Sequence, residues 1–218
     1  MTPRTRWLFA VTFAAFAASC ATTKPVNFKE PRRVVGTEND VRIDAEIDAD
    51  RLTPSQTINL KYDISNHRQL PIAIADILPD SSYDPETRTV TIGIGTEVPG
   101  ESMLPRLVVI APGETKTFVT TARVTILIPA GAPSPFIRYP NALRVKVNFL
   151  GDTEPFAKLI SIPERGLHDP TLAADLFTKW LERNETVLTG TVPMRWAAAV
   201  DDAQPPVTAP ARRRRGPG

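Results

Sequence analysis

Few side chains in this sequence are of types that do covalent or metal chemistry. The 218 residues include one cysteine, Cys20, and two histidines, His67 and His168. Zinc sites need Cys and His ligands at spacings such as CxxC or HExxH, and neither motif occurs. The Gly-x-Ser-x-Gly turn of serine hydrolases is also missing from the sequence. The run GIGTEVPG at 93–100 has Val98 where a dinucleotide-binding loop needs its third glycine. The sequence therefore predicts no catalytic residue, no metal site and no cofactor.

One row of carboxylates leaves a calcium site open as an alternative. Asp44, Glu46 and Asp48 alternate along one predicted strand, so they share a face at spacings of about 7 Å. Calcium usually takes several oxygen ligands that converge from a loop, which a straight row does not provide. Ion pairs with Arg144 and Lys146, on the outward face of another predicted strand, explain the row equally well. A solvated face is the interpretation that the pattern favours.

A second group of carboxylates, Asp76, Asp80 and Asp84, leaves a hydrolase open as an alternative function. A carboxylate-dependent hydrolase needs two carboxyl groups facing each other across a cleft at a defined separation. Nothing in the sequence indicates such a cleft, so the hydrolase stays the less favoured alternative.

The amino-terminal residues have the pattern of an export signal. Arg4 and Arg6 precede a 12-residue apolar run at 7–18, and small residues follow it. This order is typical of a secretory signal peptide, predicted here for residues 1–19. The run is too short to span a membrane as a helix, which takes about 20 apolar residues.

The end of this signal, Ala17-Ala18-Ser19-Cys20, resembles the lipobox of bacterial lipoproteins, although that family prefers leucine or another branched residue at the position of Ala17. The resemblance implies cleavage before Cys20 and lipid attachment to it, hence a membrane anchor. A solitary cysteine fits this role, because exported proteins otherwise pair their cysteines. The same residues also fit the small-x-small site of the ordinary signal peptidase, so an unlipidated secreted protein is the alternative. In a cell with two membranes, Ala21 resembles the sorting residue of outer-membrane lipoproteins that face the periplasm.

The charge distribution excludes a nucleic-acid partner. Lys and Arg total 26 against 24 Asp and Glu, and both chain ends are basic, so the body between them is mildly acidic. Nucleic-acid binding needs a basic surface on the domain itself. The tail at 197–218 is rich in Ala, Pro and Arg and is predicted to be disordered. Its run Arg212, Arg213, Arg214 and Arg215 predicts contact with an anionic lipid or another acidic envelope polymer, with a solvated end as the alternative.

Between these ends, short segments of alternating polarity predict strands. They lie at 41–48, 57–65, 71–78, 89–95, 107–110, in two stretches that end at Ile128, at 143–149 and at 158–162. Such spacing predicts a mainly β fold, an antiparallel sandwich, with a barrel as the alternative. The order of these segments resembles the immunoglobulin-like sandwich of bacterial envelope proteins over residues 38–163. A tether is predicted at 20–37, between the anchor and this domain.

One helix is predicted near the carboxyl end. Asp169 is a favoured N-cap, Pro170 suits the first helical turn, and the apolar pattern continues to Arg183. Leu172, Leu176 and Trp180 form one stripe, which we expect either to pack on the sandwich or to contact a partner. Residues 185–196 predict a returning edge strand that ends at Pro193, so 164–196 is expected to pack on the sandwich.

Together these patterns predict a non-catalytic envelope lipoprotein that acts as a binding or structural module. Its expected partners are the membrane, through lipid on Cys20, and an envelope protein or glycan. The proline-rich segment 129–140 offers Phe136 and Tyr139 as contact residues, although the segment also fits a crossover that packs between the sheets.

Overall fold

The computed structural model describes residues 32–76, 78–100, 103–127, 138–162 and 168–197. The described part is mainly β, with few helices. Its strands are β1 Arg32–Glu38, β2 Val41–Asp48, β3 Arg51–Leu52, β4 Ser55–Asn66, β5 Ile72–Ala75, β6 Asp80–Asp84, β7 Thr89–Ile94, β8 Leu107–Ile110, β9 Thr115–Thr125, β10 Ala142–Leu150, β11 Asn184–Leu188, β12 Val192–Pro193 and β13 Arg195–Trp196.

The first sheet has the order β1-β2-β4-β9, with every neighbouring pair antiparallel. Strand β2 matches the predicted strand 41–48, because its strict alternation suits a sheet with one buried face. Its inward residue Ile43 pairs with Ile64 of β4, and both are fully buried. On β9, Phe118 stacks on Tyr62 with ring centroids 5.1 Å apart.

The second sheet has the order β6-β7-β10-β5-β8, and β11 and β12 pair with the other side of β10. Strand β7 is buried along its whole length. Most neighbouring strands are antiparallel, as the sequence predicts, but the pair β7–β10 is parallel, as is the short pair β3–β13. In the chain, β8 and β9 lie between β7 and β10, so β7 and β10 are not joined by a tight turn and can run parallel.

The two sheets pack face to face around one apolar core, and they meet along both edges. At one edge, the amide of Gly190 donates to the carbonyl of Val35 on β1 at 3.0 Å. Gly36 lies so close to β11 that a Cβ there would be 2.3 Å from the carbonyl oxygen of Leu188. At the other edge, the Ser81 hydroxyl on β6 donates to the Arg123 carbonyl on β9 at 3.1 Å.

Helical segments cover the outer side of β5, β8 and the end of β10. Helix α2, Pro170–Arg183, has the bounds that the sequence predicts. The Asp169 carboxylate caps it by accepting a hydrogen bond from the Leu172 amide at 2.9 Å. A second apolar cluster lies beneath α2, and it includes Ala73, Leu107, Leu150, Phe156 and Trp180.

Two sequence predictions differ from the observed elements. Residues 158–162 were expected to form a strand, but a 3-10 turn at Glu154–Phe156 leads into the short helix α1, Ala157–Ile160. Phe156 and Leu159 are buried three residues apart, which is a helical rather than a strand spacing. In addition, β1 begins at Arg32, inside the segment 20–37 that was predicted to be a tether. Because β1 contains two adjacent arginines and a glycine, its sequence does not show the alternation of apolar and polar residues that indicates a strand.

The packed sheets have two ends, which carry different loops. We call the end where β2, β6 and β9 finish the exit end, because both termini of the described chain leave there. Arg32 pairs with Ile47 at the end of β2, and the Ala197 amide donates to the Leu52 carbonyl at 2.9 Å. We call the opposite end, which carries α1 and α2, the helix end.

Candidate functional site

The apolar stripe of α2 lies inside the molecule. Leu172, Leu176 and Trp180 are 6%, 2% and 2% exposed, respectively. Trp180 meets Phe156 edge to face, with ring centroids 5.4 Å apart. These three side chains, which the sequence predicts as possible partner contacts, instead pack against the second sheet.

A groove lies beside α2 at the helix end. It has a volume of about 730 Å³ and runs between Pro99–Gly100 and the first half of the helix. Its helical wall consists of Pro170, Ala173, Ala174 and Phe177. Phe177 is 43% exposed, although burial of a phenylalanine side chain is favourable in free energy. The groove thus offers a largely apolar surface to a ligand.

Polar groups stand near the mouth of this groove. The exposed His168 lines it, next to the helix cap. Glu97, two residues before Pro99, is partly buried, and this burial raises the pKa of its carboxyl. The other histidine, His67, lies in a strand connection, where its amide donates to the Asp40 carbonyl at 2.8 Å. No nucleophile accompanies His168 in the lining that the structure describes.

The carboxylates considered for hydrolysis have separate structural roles. Asp76 pairs with Arg106 at 2.9 Å. The Asp80 carboxylate lies over Gly93, where any Cβ would collide with it. Asp84 accepts from the Thr87 hydroxyl and the Glu86 amide, which lowers the pKa of its carboxyl. Asp80 and Asp84 occupy opposite ends of β6, so these groups do not face one another across a cleft.

In the acidic row on β2, Asp44 is paired with neighbouring arginines. Asp44 accepts two hydrogen bonds from the Arg33 guanidinium on β1, and Arg42 lies 3.5 Å from it. The hydrogen bond from Arg33 is the main reason that the pKa of Asp44 is lowered. Pairing with Arg144 and Lys146 is wrong, since both lie in the other sheet. Among the described residues, no three His, Cys, Asp or Glu side chains are grouped to hold a metal ion.

An aromatic pair marks the exit end. Tyr139, a predicted contact residue, is 38% exposed and stacks on Trp196 with ring centroids 5.2 Å apart. The Arg88 Nε donates to the Tyr139 carbonyl at 2.8 Å. The hydroxyl of Tyr83 donates to the Arg138 carbonyl next to it. These hydrogen bonds hold the segment at residues 138–140 against the turn before β7.

Arginines surround this aromatic pair. Arg51 and Arg195 face each other in register across the parallel pair β3–β13, so both side chains leave the same side of the ribbon. Arg88 and Arg138 are exposed on the neighbouring loops. Four exposed arginine side chains therefore lie near this aromatic pair at the exit end.

Three groups of predicted site residues lie outside the described residues: Cys20, Phe136 and Arg212 to Arg215. Phe177, Trp196 and the pair of Arg51 and Arg195 were not predicted as site residues from the sequence. The arginine pair arises from a parallel contact between segments that are far apart in the chain, so no local pattern indicates it. The exposure of Phe177 depends on how α2 is rotated on the sheet.

Comparison with known proteins supplies no relative of this chain. No protein-family model matches it, and no curated protein or solved structure is detectably similar. Within the described ranges, no helix has both the length and the apolar character needed to cross a membrane.

Proposed function

We propose that this protein is a lipid-anchored envelope protein whose immunoglobulin-like β-sandwich is a non-catalytic binding module. The anchor is Cys20, and the partner site is the groove beside Phe177. The observation that carries the proposal is the position of this groove at the helix end, opposite the end where the chain leaves toward Cys20. A module held at its exit end presents its helix end to the compartment.

The lining of the groove favours a protein partner over a glycan. Apart from His168, its side chains are those of proline, alanine and phenylalanine, which gain free energy by excluding water from apolar surface, at about 25 cal/mol per Å². A polypeptide with one or two apolar side chains supplies such surface. Partly exposed aromatic side chains in a concave site are typical anchors of protein interfaces.

One further observation supports the sandwich. Two sheets pack face to face, with loops gathered at both ends, as in immunoglobulin-like modules that bind through end loops.

Substitution of Phe177 tests the partner site. The tagged wild-type protein is crosslinked in intact cells and purified from solubilised envelopes, and the co-purified proteins are compared with those of Phe177→Ser. We expect a specific protein to be lost with Phe177→Ser, since a central aromatic anchor contributes about 2 kcal/mol or more to binding.

Val119→Ser is the matched control. Val119 is 78% exposed on the outer face of β9, in the other sheet. The substitution Val119→Ser therefore also removes an exposed apolar side chain. The proposed site requires this variant to retain the partner. If both variants retain every co-purified protein, or both lose the same one, the groove beside Phe177 is not the binding site.

A further inference from the structure

Helix α2 carries a second apolar stripe, on its solvent side. Ala174, Phe177 and Leu181 follow one another at spacings of three and four residues, which places them on one face of the helix. All three are exposed, and Leu181 is 56% exposed. With Pro170 at its start, the stripe continues the helical wall of the groove to a length of about 16 Å, given the rise of an α-helix. The groove therefore suits a narrow, extended ligand that lies along α2.

The lining of the groove favours a ligand with few backbone amides. Apart from His168, the side chains that line it neither donate nor accept hydrogen bonds: Pro99, Pro170, Ala173, Ala174 and Phe177. A ligand amide that is buried against them without an acceptor costs free energy. Proline has no amide hydrogen, and its backbone is already restricted before binding, so a proline-rich segment avoids much of this cost.

The two walls of the groove belong to acidic parts of the chain. Carboxylates outnumber basic side chains in residues 95–100 and 168–183: Glu97, Asp169, Asp175 and Glu182 against Lys179 and Arg183. Lys179 already pairs with Asp175 on the helix, at 3.0 Å. Burial raises the pKa of the Glu97 carboxyl, and a cation beside it would offset the cost of that burial. The groove therefore favours a ligand that has positive charge next to its apolar part.

The carboxyl-terminal segment of this chain has both properties. Residues 205–210, which lie outside the described ranges, have the sequence PPVTAP, and Arg212 to Arg215 follow one residue later. Proline-rich sequences of this kind favour the polyproline II helix, in which six residues extend about 16 Å. This length matches the apolar stripe of α2. Residues three apart share a face of such a helix, so Val207 and Pro210 can contact the stripe together.

The segment is long enough to reach the groove. The chain leaves the sandwich at Ala197, at the exit end. Strand β4 has 12 residues and therefore spans about 40 Å between the two ends. Pro210 is 13 residues beyond Ala197, which gives an extended reach of about 45 Å. The prolines and the arginines can therefore lie at the helix end while every described element stays folded.

We propose that residues 205–215 of this chain dock in the groove beside Phe177 and compete there with the partner. The prolines lie along Ala174, Phe177 and Leu181, and the four arginines lie beside the carboxylates of the walls. Because the segment is tethered to the same chain, its effective concentration at the groove is high, and a partner must displace it. The competition rests on the proposed function, whereas the docking itself needs no partner.

Photocrosslinking in the tail-bearing chain tests the docking. The chain from residue 20 carries Cys20→Ser, and photoreactive benzoylphenylalanine replaces Val207. Mass spectrometry then identifies the peptides that are joined after illumination. We expect crosslinks within one chain to residues 170–181, with a yield that does not change on dilution. Phe177→Ser should lower this yield about tenfold, because it removes the central aromatic anchor.

Two further variants separate the apolar and the charged contributions. Val119→Ser, on the outer face of β9, should keep the full yield. Replacement of Arg212 to Arg215 by glutamine should lower the yield, and added salt should lower it only in chains that keep these arginines. Thermal unfolding checks that each variant is folded. Crosslinks only to other parts of the sandwich, crosslinks only between two copies, or a yield that Phe177→Ser leaves unchanged would overturn the proposal.

The docking and the proposed function fail in different ways. Loss of the partner in Phe177→Ser without any crosslink to α2 would overturn the docking but leave the partner site intact. A crosslink to α2 with unchanged partner capture in Phe177→Ser would do the reverse. Where both hold, a chain that ends at residue 197 should capture more partner than the full chain. Equal capture by the two chains would overturn the competition.

Discussion

At the scale of single residues, this protein uses its charged side chains mainly to hold neighbouring strands together. Arg33 and Asp44 pair across β1 and β2, and Asp76 and Arg106 pair beside β5 and β8. The sequence analysis predicted that the acidic row would be solvated or paired, but it named the wrong partners for the pairing. Which residue of the adjacent strand is the diagonal neighbour depends on the pairing register of the two strands. The alternation within one strand does not determine that register.

The pair of Arg33 and Asp44 predicts a pH-dependent contribution to stability. Because Arg33 lowers the pKa of Asp44 in the folded state, the unfolded chain binds the proton more readily. The stabilisation is therefore complete above the unfolded-state pKa of about 3.9, and it is lost as the pH falls through the folded-state pKa. Arg33 is 62% exposed on its side chain, where solvent screens the pair, so we expect Arg33→Gln to cause only a small loss of stability at neutral pH.

Denaturant unfolding of Arg33→Gln and wild type at several pH values measures this effect. The difference in the free energy of unfolding should be constant near neutral pH and shrink in acid. Arg42→Gln is the control, because Arg42 lies 3.5 Å from the same carboxylate and should have a smaller effect. A difference that grows as the pH falls would contradict the pairing.

At the scale of elements, α2 shows how much local sequence can determine. Its first and last residues were predicted because an N-cap aspartate, a proline and a regular apolar stripe are all local signals. Strand β2 was also predicted, because its strict alternation is likewise a local signal. The helical turns at 154–160 were not predicted, because the short segment 158–162, of mixed polarity, fits a strand and a helix equally well.

The cap of α2 predicts a modest loss of stability on substitution. Asp169→Ala leaves the Leu172 amide without its side-chain acceptor, and we expect a loss of about 1 kcal/mol in the free energy of unfolding. Asp169→Asn is the comparison, since asparagine is an equally favoured N-cap. Denaturant unfolding of both variants checks this, and equal losses would show that the side-chain hydrogen bond to Leu172 contributes nothing.

The buried stripe of α2 predicts a much larger effect. Trp180→Ala empties a site that is 2% exposed and removes the edge-to-face contact with Phe156. We expect a loss of about 3–5 kcal/mol in the free energy of unfolding. Phe177→Ala on the same helix should cost less than about 1 kcal/mol, because Phe177 is partly exposed. Similar losses for the two variants would mean that α2 is rotated differently on the sheet.

At the scale of the whole molecule, two sheets are joined at their edges and their two ends differ in chemistry. The sequence analysis predicted packed β-strands from alternation, but it predicted neither the parallel β7–β10 pair nor the first strand. These features depend on contacts between distant segments, such as the approach of β1 to β11. The apolar groove beside α2 likewise appears only after folding.

The edge between β1 and β11 predicts a steric test of how the sheets meet. A Cβ at Gly36 would lie 2.3 Å from the Leu188 carbonyl oxygen, so Gly36→Ala must push the strands apart. We expect a loss of about 1–3 kcal/mol. Gly190→Ala is the matched control on the same edge, since its Cβ would be 3.9 Å from the Val35 carbonyl oxygen. Denaturant unfolding compares the two, and an unaffected Gly36→Ala would contradict this close approach.

The proposed lipid anchor on Cys20 is tested most directly by the mass of the amino-terminal peptide of the mature protein, purified from the envelope. The proposed function predicts a chain that begins at Cys20 and carries acyl groups, and a Cys20→Ala variant that is released from the membrane fraction. A mature chain that begins elsewhere, or that begins at an unmodified Cys20, would contradict it.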